Sequence, residues 1–429
     1  MEYLPGRSTF LLLLLISLSS PIIPQTTSAA VRLDPIVEAQ ELAAVEEPLD
    51  LDTFIRAAFV FSGVSGGQLP GAEAEIRVHL AALRQQLAGV ADPRERAEDA
   101  LAFMHETVLK RYDERQTRLD ILLSRGSYNC VSSGVLYAIL LKALQLKVWG
   151  VRTSDHAFCR VQAGDQAFDV ETTSPYGFDP GTRKEFTDSF GQVTGYSYVP
   201  PSNYRDRRDI GEEELLGLIL FNRTAFSSER RDYAQAVPPA VDAYALLQDG
   251  ESHERMITAL LNLASWYGMN SRFEQALAFL DRTALRYGDG RLDALRGDLI
   301  HNWALSLVQK GEFVEAEELL DLQFEVGRMA EQEWRELIVY LYQLRAQSSA
   351  GGDFSEAARL IQEGISKVGS DRSLTKSYEV YIHNSVVTLV RAERYQDALS
   401  VLEEALSQVP TSKTLQNDKS MVLKAAGQR

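Results

Sequence analysis

The sequence predicts an α+β protein: a core in which a cysteine-bearing helix packs on a small antiparallel sheet, followed by an all-α array of repeated helix pairs. Three observations carry this. An aromatic-x-x-alanine pattern recurs five times in the C-terminal half, at steps of 40, 40, 41 and 41 residues. The apolar period changes from helical to two between about residues 147 and 172. The dipeptide Gly164-Asp165 separates two of those period-two runs, where a hairpin turn belongs.

Length and charge bound the rest. A chain of 429 residues suits roughly two to three domains. Its 45% hydrophobic and 24% charged content is that of ordinary globular proteins. A net charge of -16 argues against a nucleic-acid partner, which needs basic patches. At the start, Arg7 precedes an apolar run from Phe10 to Leu18, and small residues follow at Ser28, Ala29 and Ala30. That is the order of a secretory signal peptide, expected over residues 1–30. The run is short for a membrane span. A periplasmic or secreted protein is therefore expected, with an uncleaved N-terminal membrane anchor as the alternative and no other membrane contact. In such a compartment Cys130 and Cys159 could form one bridge, although a chain of this size does not need one.

After the leader, residues 31–90 read as an N-terminal helical segment, from "LDTFIRAAFVFSG" and "AEAEIRVHLAALRQQLAG". The next domain, residues 91–200, begins with a helix signalled by Asp92-Pro93. Cys130 then opens "VSSGVLYAILLKALQL", a largely buried helix marked by Val135, Leu136, Ile139, Leu140 and Leu144. "KVWGVRT", "HAFCRVQ" and "QAFDVET" read as strands, and "SPYGFDPG" as loop.

This order suits a cysteine nucleophile. A free thiol, with a pKa of about 8.5, is mostly protonated at neutral pH. A helix N-terminus favours the thiolate through free N–H groups and the dipole. An imidazole can take the proton, and a carboxylate can orient and charge-balance the imidazole. His156 and Asp169 flank the hairpin turn and can lie side by side across it. Alternation puts Asp169 and Glu171 on one strand face, so periodicity does not choose between them.

"NCVSSGVLYAILLKALQLKVWGV", "DHAFCRV" and "FDVETT" resemble the transglutaminase-like fold, a papain-related group of transglutaminases, peptidases and amidases. The resemblance covers roughly residues 95 to 185. It implies a catalytic triad of Cys130, His156 and Asp169, with Glu171 in reserve. The chain departs from the family pattern in two places: Tyr128 and Asn129 precede the cysteine, where glycine or tryptophan is common, and Phe158 stands two after the histidine, where tryptophan or tyrosine is common. The backbone N–H of Cys130 is a natural oxyanion donor, and Asn129 is a candidate for a second. Cys159, three residues after His156, faces the other side of the strand and reads as core. His105 reads as a structural helix residue, Asp155 as a surface charge and Tyr176 as an exposed loop aromatic. The six histidines and two cysteines lack ligand spacing, so no metal is expected. No cofactor is expected either, because "FSGVSGGQLPG" lacks the lysine of a phosphate loop. Asn222-Arg223-Thr224 matches a glycosylation acceptor.

The repeated pattern pairs Tyr233, Phe273, Phe313, Phe354 and Tyr395 with Ala236, Ala276, Ala316, Ala357 and Ala398. Residues at i and i+3 share a helix face. The aromatic fills the space between helices and the alanine admits a close neighbour. "GEFVEAEELL" and "GDFSEAARLI" resemble tetratricopeptide repeats, although that family's usual period is about 34 residues. The resemblance implies a TPR-like helical solenoid over residues 211–429, whose concave face takes a peptide or a protein partner.

Together these point to an exported enzyme performing cysteine-dependent acyl transfer on protein or peptide amides. Hydrolysis by a protease or amidase is favoured over protein-glutamine transamidation, because transfer requires excluding water. The alternative is a non-catalytic TPR scaffold carrying a degenerate transglutaminase-like domain.

Overall fold

Several helix starts in this chain are written with side-chain caps. In the computed structural model, which describes residues 31–45, 48–154, 156–181, 184–195, 206–351 and 353–427, the Asp50 carboxylate accepts the N–H of Thr53 at 2.9 Å and opens a helix at Leu51. Asp92 accepts the N–H of Arg94 at 3.0 Å, with Pro93 in the first helical position where its missing N–H costs nothing. The expected signal peptide and Asp155 lie outside the described residues. Among the described residues no helix is long and apolar enough to cross a membrane.

The fold is mixed α+β with a large helical part. Helices α1 (Val37–Leu42), α2 (Leu51–Phe61), α3 (Leu69–Gln86) and α4 (Pro93–Thr107) come first. Next are β1 (Arg111–Tyr112), α5 (Leu119–Arg125), β2 (Ser127–Tyr128) and α6 (Cys130–Ala143). The sheet follows with β3 (Lys147–Arg152), β4 (Ala157–Ala163) and β5 (Gln166–Val170), then α7 (Lys184–Thr194) and β6 (Arg208–Ile210). Strand order is β5-β4-β3-β6, antiparallel throughout. Gly164 turns the β4–β5 hairpin at φ +63°, a conformation that favours glycine. Strand β6 joins the edge with three residues, too short a run to show a period of two.

Helix α6 is buried almost all round, as its unbroken apolar sequence requires. It is wrapped by α2 and α4, by the sheet and by α8 (Glu212–Glu229). One apolar core runs from α1 through the sheet into α8 and the end of α9 (Tyr233–Leu247). The expected boundaries near residues 90 and 211 are therefore not breaks in packing: Leu215, Leu216, Ile219 and Leu220 belong to the same core as Leu136 and Ile139.

Beyond it come α10 (Gly250–Met269), α11 (Phe273–Tyr287), α12 (Gly290–Lys310), α13 (Phe313–Glu325), α14 (Glu331–Ala350), α15 (Phe354–Val368), α16 (Arg372–Arg391), α17 (Tyr395–Gln408) and α18 (Lys413–Gly427). Each motif aromatic is the first residue of the second helix of a pair, and all five motif alanines are fully buried. Two residues before four of those aromatics the backbone turns left-handed, at Arg231, Ser271, Gly311 and Glu393. Only one of the four is glycine, so the sharp turn is held by packing of the pair against a local cost of about 1 kcal/mol at the others. Asn222 lies inside α8, its amide donating to the Thr117 hydroxyl at 3.3 Å, so the acceptor motif is not on the loop that glycosylation favours.

Charged pairs join the array to the sheet. Arg152 of β3 reaches Glu214 at 3.1 Å and grips Glu251 of α10 at 2.9 and 2.6 Å. Lys142 of α6 meets one oxygen of Glu212 at 2.5 Å, and the other takes the N–H of Leu49 at 2.8 Å. The first described residues form a strap across the array. Arg32 makes a bidentate pair with Asp242 at 2.8 and 2.6 Å, Leu33 is buried in the second core, and Tyr287 donates to the Leu33 carbonyl at 2.7 Å.

Replacing Arg152 removes the cation that Glu214 and Glu251 share, leaving Glu214 with Arg208 and Glu251 with Arg255. Arg152→Met is expected to lower the free energy of unfolding by about 2 kcal/mol, read from urea denaturation.

Candidate active site

The site begins at the N-terminus of α6. Asn129 is the cap: its side-chain oxygen accepts the N–H of Ser132 at 2.9 Å, and the Ser132 hydroxyl accepts the N–H of Asn129 at 3.0 Å. This reciprocal box fixes the first turn and leaves Cys130, partly exposed, as the first helical residue. The Asn129 amide nitrogen donates to the Glu114 carbonyl at 3.0 Å, and the residue is buried. Asn129 thus holds the helix start, and its side chain is committed away from the oxyanion role considered for it. Cys159 is also a free thiol. It is fully buried on the sheet face toward α6, donates to the Gly134 carbonyl at 3.4 Å, and burial pushes its pKa up.

His156 sits just before β4, in a tight turn where its carbonyl accepts the Thr153 N–H at 2.9 Å. Its ring lies close enough to Cys130 for that side chain to act on its charge. Nε2 meets Glu171 Oε2 at 2.6 Å, which leaves Nδ1 as the nitrogen for the thiol. Phe158 stacks on the ring at 6.3 Å and Phe190 of α7 meets it edge-on at 6.1 Å.

The carboxylate against His156 is therefore Glu171, and Asp169 is elsewhere. Strand β5 ends at Val170, so strict alternation stops one residue before Glu171. Asp169 stays in the ladder opposite Arg160, where it accepts a bidentate pair from Arg207 at 2.8 and 2.6 Å. Glu171 turns inward, into a loop closed by the bridge between Val170 and Phe178 and by its own N–H donating to the Gly177 carbonyl at 2.8 Å. Its second oxygen, Oε1, takes the N–H and the hydroxyl of Thr173 at 3.2 and 2.7 Å. Only 3% of Glu171 is exposed, so this carboxylate has all its solvation from the protein.

That buried charge governs its surroundings. Burial alone would lower the His156 pKa; the charge of Glu171, the hydrogen bonds to Cys130 and Glu171 and the Cys130 charge outweigh it, and the net shift is upward. The phenol of Tyr128 is pushed up to about 12, by burial and then by Glu171.

Around the loop lies a polar layer that the sequence reading missed. Thr172, Thr173 and Ser174 are fully buried. The Thr172 hydroxyl bonds that of Ser133 on α6 at 2.8 Å, and the Thr172 and Thr173 carbonyls accept from His105 at 3.1 Å and from Tyr128 at 3.3 Å. The available signal was "ETTS", four hydrogen-bonding side chains in succession after an apolar strand. Tyr176 is exposed. Among the described residues no cluster of histidine, cysteine and carboxylates could hold a metal.

No family model matches the chain, and no curated protein matches it significantly.

Two outcomes follow from this geometry. His156 should stay an imidazolium above pH 6.5, its usual midpoint. Its stabilisation of the fold is complete below that value and is lost as pH rises through the raised native one. In Glu171→Gln burial acts with less opposition, so an NMR titration of the ring should show the midpoint moving down. A Cβ at Gly177 would lie 1.9 Å from the Glu171 carbonyl oxygen, so Gly177→Ala must displace that loop. Iodoacetamide alkylation of Cys130 should then slow by about tenfold or more.

Proposed function

We propose that the protein is a cysteine-dependent hydrolase of amide bonds in peptides or proteins, with Cys130 as nucleophile, His156 as proton carrier and Glu171 as the carboxylate that orients and charges the imidazole. The observation that carries this is the 2.6 Å contact of His156 Nε2 with Glu171, made by a ring on whose charge Cys130, at the start of α6, also acts. Glu171 replaces Asp169 in that role because Asp169 is engaged by Arg207.

The steps follow from the positions. The reactive pair is the Cys130 thiolate beside the His156 imidazolium. The sulfur attacks the amide carbon, and the developing oxyanion takes the Cys130 backbone N–H at the positive end of α6. His156 gives its proton to the leaving amine as the C–N bond breaks, and a thioester remains. Neutral His156 then takes a proton from water, whose oxygen attacks the thioester. Collapse expels the thiolate and returns the imidazolium. The Glu171 carboxylate keeps its place throughout, clamped by Thr173.

The finer fold belongs to the same reading. A helix opened by cysteine and packed on an antiparallel sheet that brings in histidine supports a transglutaminase-like core. The helix pairs opened by an aromatic and a buried alanine support a TPR-like array that presents protein substrates. The N-terminal sequence supports export.

A fluorescent iodoacetamide probe tests the nucleophile. Labelling at neutral pH should occupy Cys130 alone and vanish in Cys130→Ala, with Cys159 protected by burial; label that persists or moves to Cys159 excludes this site. Glu171→Gln should reduce turnover of a susceptible protein by about a hundredfold or more, whereas Asp169→Asn should stay within severalfold. New N-termini in the products mark a peptidase; incorporation of a labelled primary amine marks a transamidase and leaves the triad standing.

A further inference from the structure

The loop carrying Glu171 is gripped by two rings that stand outside the proposed triad. His105, in the last turn of α4, and Tyr128, just before the cap Asn129, reach consecutive backbone carbonyls, those of Thr172 and Thr173, at 3.1 and 3.3 Å. A carbonyl only accepts, so His105 carries a proton on Nε2 and Tyr128 donates its hydroxyl. The two rings meet edge-on at 6.1 Å, and Tyr128 meets Tyr112 edge-on at 5.8 Å, which fixes their orientation.

Resting on the triad proposed above, we propose that His105 and Tyr128 are positioning residues: a two-point latch on the Thr172–Thr173 backbone that sets the Glu171 carboxylate against His156. The path is short. Thr173 is latched through its carbonyl, and the same residue clamps Glu171 Oε1 through its N–H and hydroxyl. Moving Thr173 moves the carboxylate. A glutamate has three side-chain torsions, and a 2.6 Å contact survives only where backbone and clamp are both fixed.

The chemistry of the latch fits its place. A cationic donor beside this loop would compete with His156 for the Glu171 charge. Both donors here are neutral: burial holds the His105 pKa down to about 4, and burial with the Glu171 charge holds Tyr128 protonated. The latch therefore supplies hydrogen bonds without drawing on the charge that His156 needs.

The test compares iodoacetamide alkylation rates of Cys130 at pH 7 in the full chain. Glu171→Gln and His105→Ala should each slow the reaction about tenfold. His105→Gln, whose amide can still donate to the Thr172 carbonyl, should recover most of the rate. A structural role would not give that rescue. On a Glu171→Gln background, His105→Ala should slow alkylation no further, since both act through one carboxylate. A wild-type rate in His105→Ala, equal losses in the Ala and Gln variants, or fully additive losses would each overturn the latch while Glu171→Gln remains slow. If Glu171→Gln itself reacts at the wild-type rate, the triad fails and the latch with it. Should His105→Ala not fold, Tyr128→Phe removes one hydroxyl only. It should slow alkylation about threefold on the wild-type background and not on Glu171→Gln; no slowing overturns the latch.

Discussion

A negative charge buried to 3% exposure organises the candidate site of this protein. Glu171 has no water to solvate it, and an unpaired buried carboxylate would take up a proton. Keeping it ionised requires a cation and hydrogen-bond donors at fixed positions: the His156 ring and the N–H and hydroxyl of Thr173. Those in turn require the closed loop from Val170 to Phe178, and that loop requires a glycine at 177, where a side chain would strike backbone. The fully buried polar run Thr172–Ser174 is the cost of the same requirement, since its own groups must find partners on α4, α6 and β2.

Much of the fold was legible, because periodicity reports burial. Helices α2, α3, α4 and α6 and the recurring helix pairs follow from apolar spacing, and the hairpin at Gly164 from its turn residues, whereas α5 was not read. In the site, Cys130 and His156 were legible from their contexts. The third residue was not, because choosing between Asp169 and Glu171 depends on where the ladder stops. That is set by the Val170–Phe178 bridge and the Gly177 carbonyl, contacts reaching several residues ahead in a segment whose composition says only loop. Asn129 was misjudged for a related reason. A residue before a nucleophile invites a chemical role, and its capping role depends on Ser132, three positions later. His105 was read as structural because nothing local to α4 shows that it faces residue 172, a partner 67 positions away.

The helical array is built on the enzyme-like core rather than attached to it. Its first pair supplies apolar surface to the core around α6, and α9 contains two prolines within the helix, at Pro238 and Pro239. The first pair therefore faces the core around α6 on one side and α10 on the other. Through Arg152, strand β3 is pinned to α8 and α10, and β3 is the direct partner of β4, whose start holds His156. The array and the imidazole are therefore joined by a short path of ion pairs and strand pairing.

The strap at residues 31–36 has a consequence for the order of folding. Arg32 is synthesised early, yet its partner Asp242 lies 210 positions further along, and Tyr287 lies 254 positions beyond Leu33. Neither docking site exists until the first two helix pairs have formed. This early segment is thus among the last to find its place, and closing so large a loop comes after local helix pairing. The segment acts as a seam, closed only once both halves of the molecule stand in register.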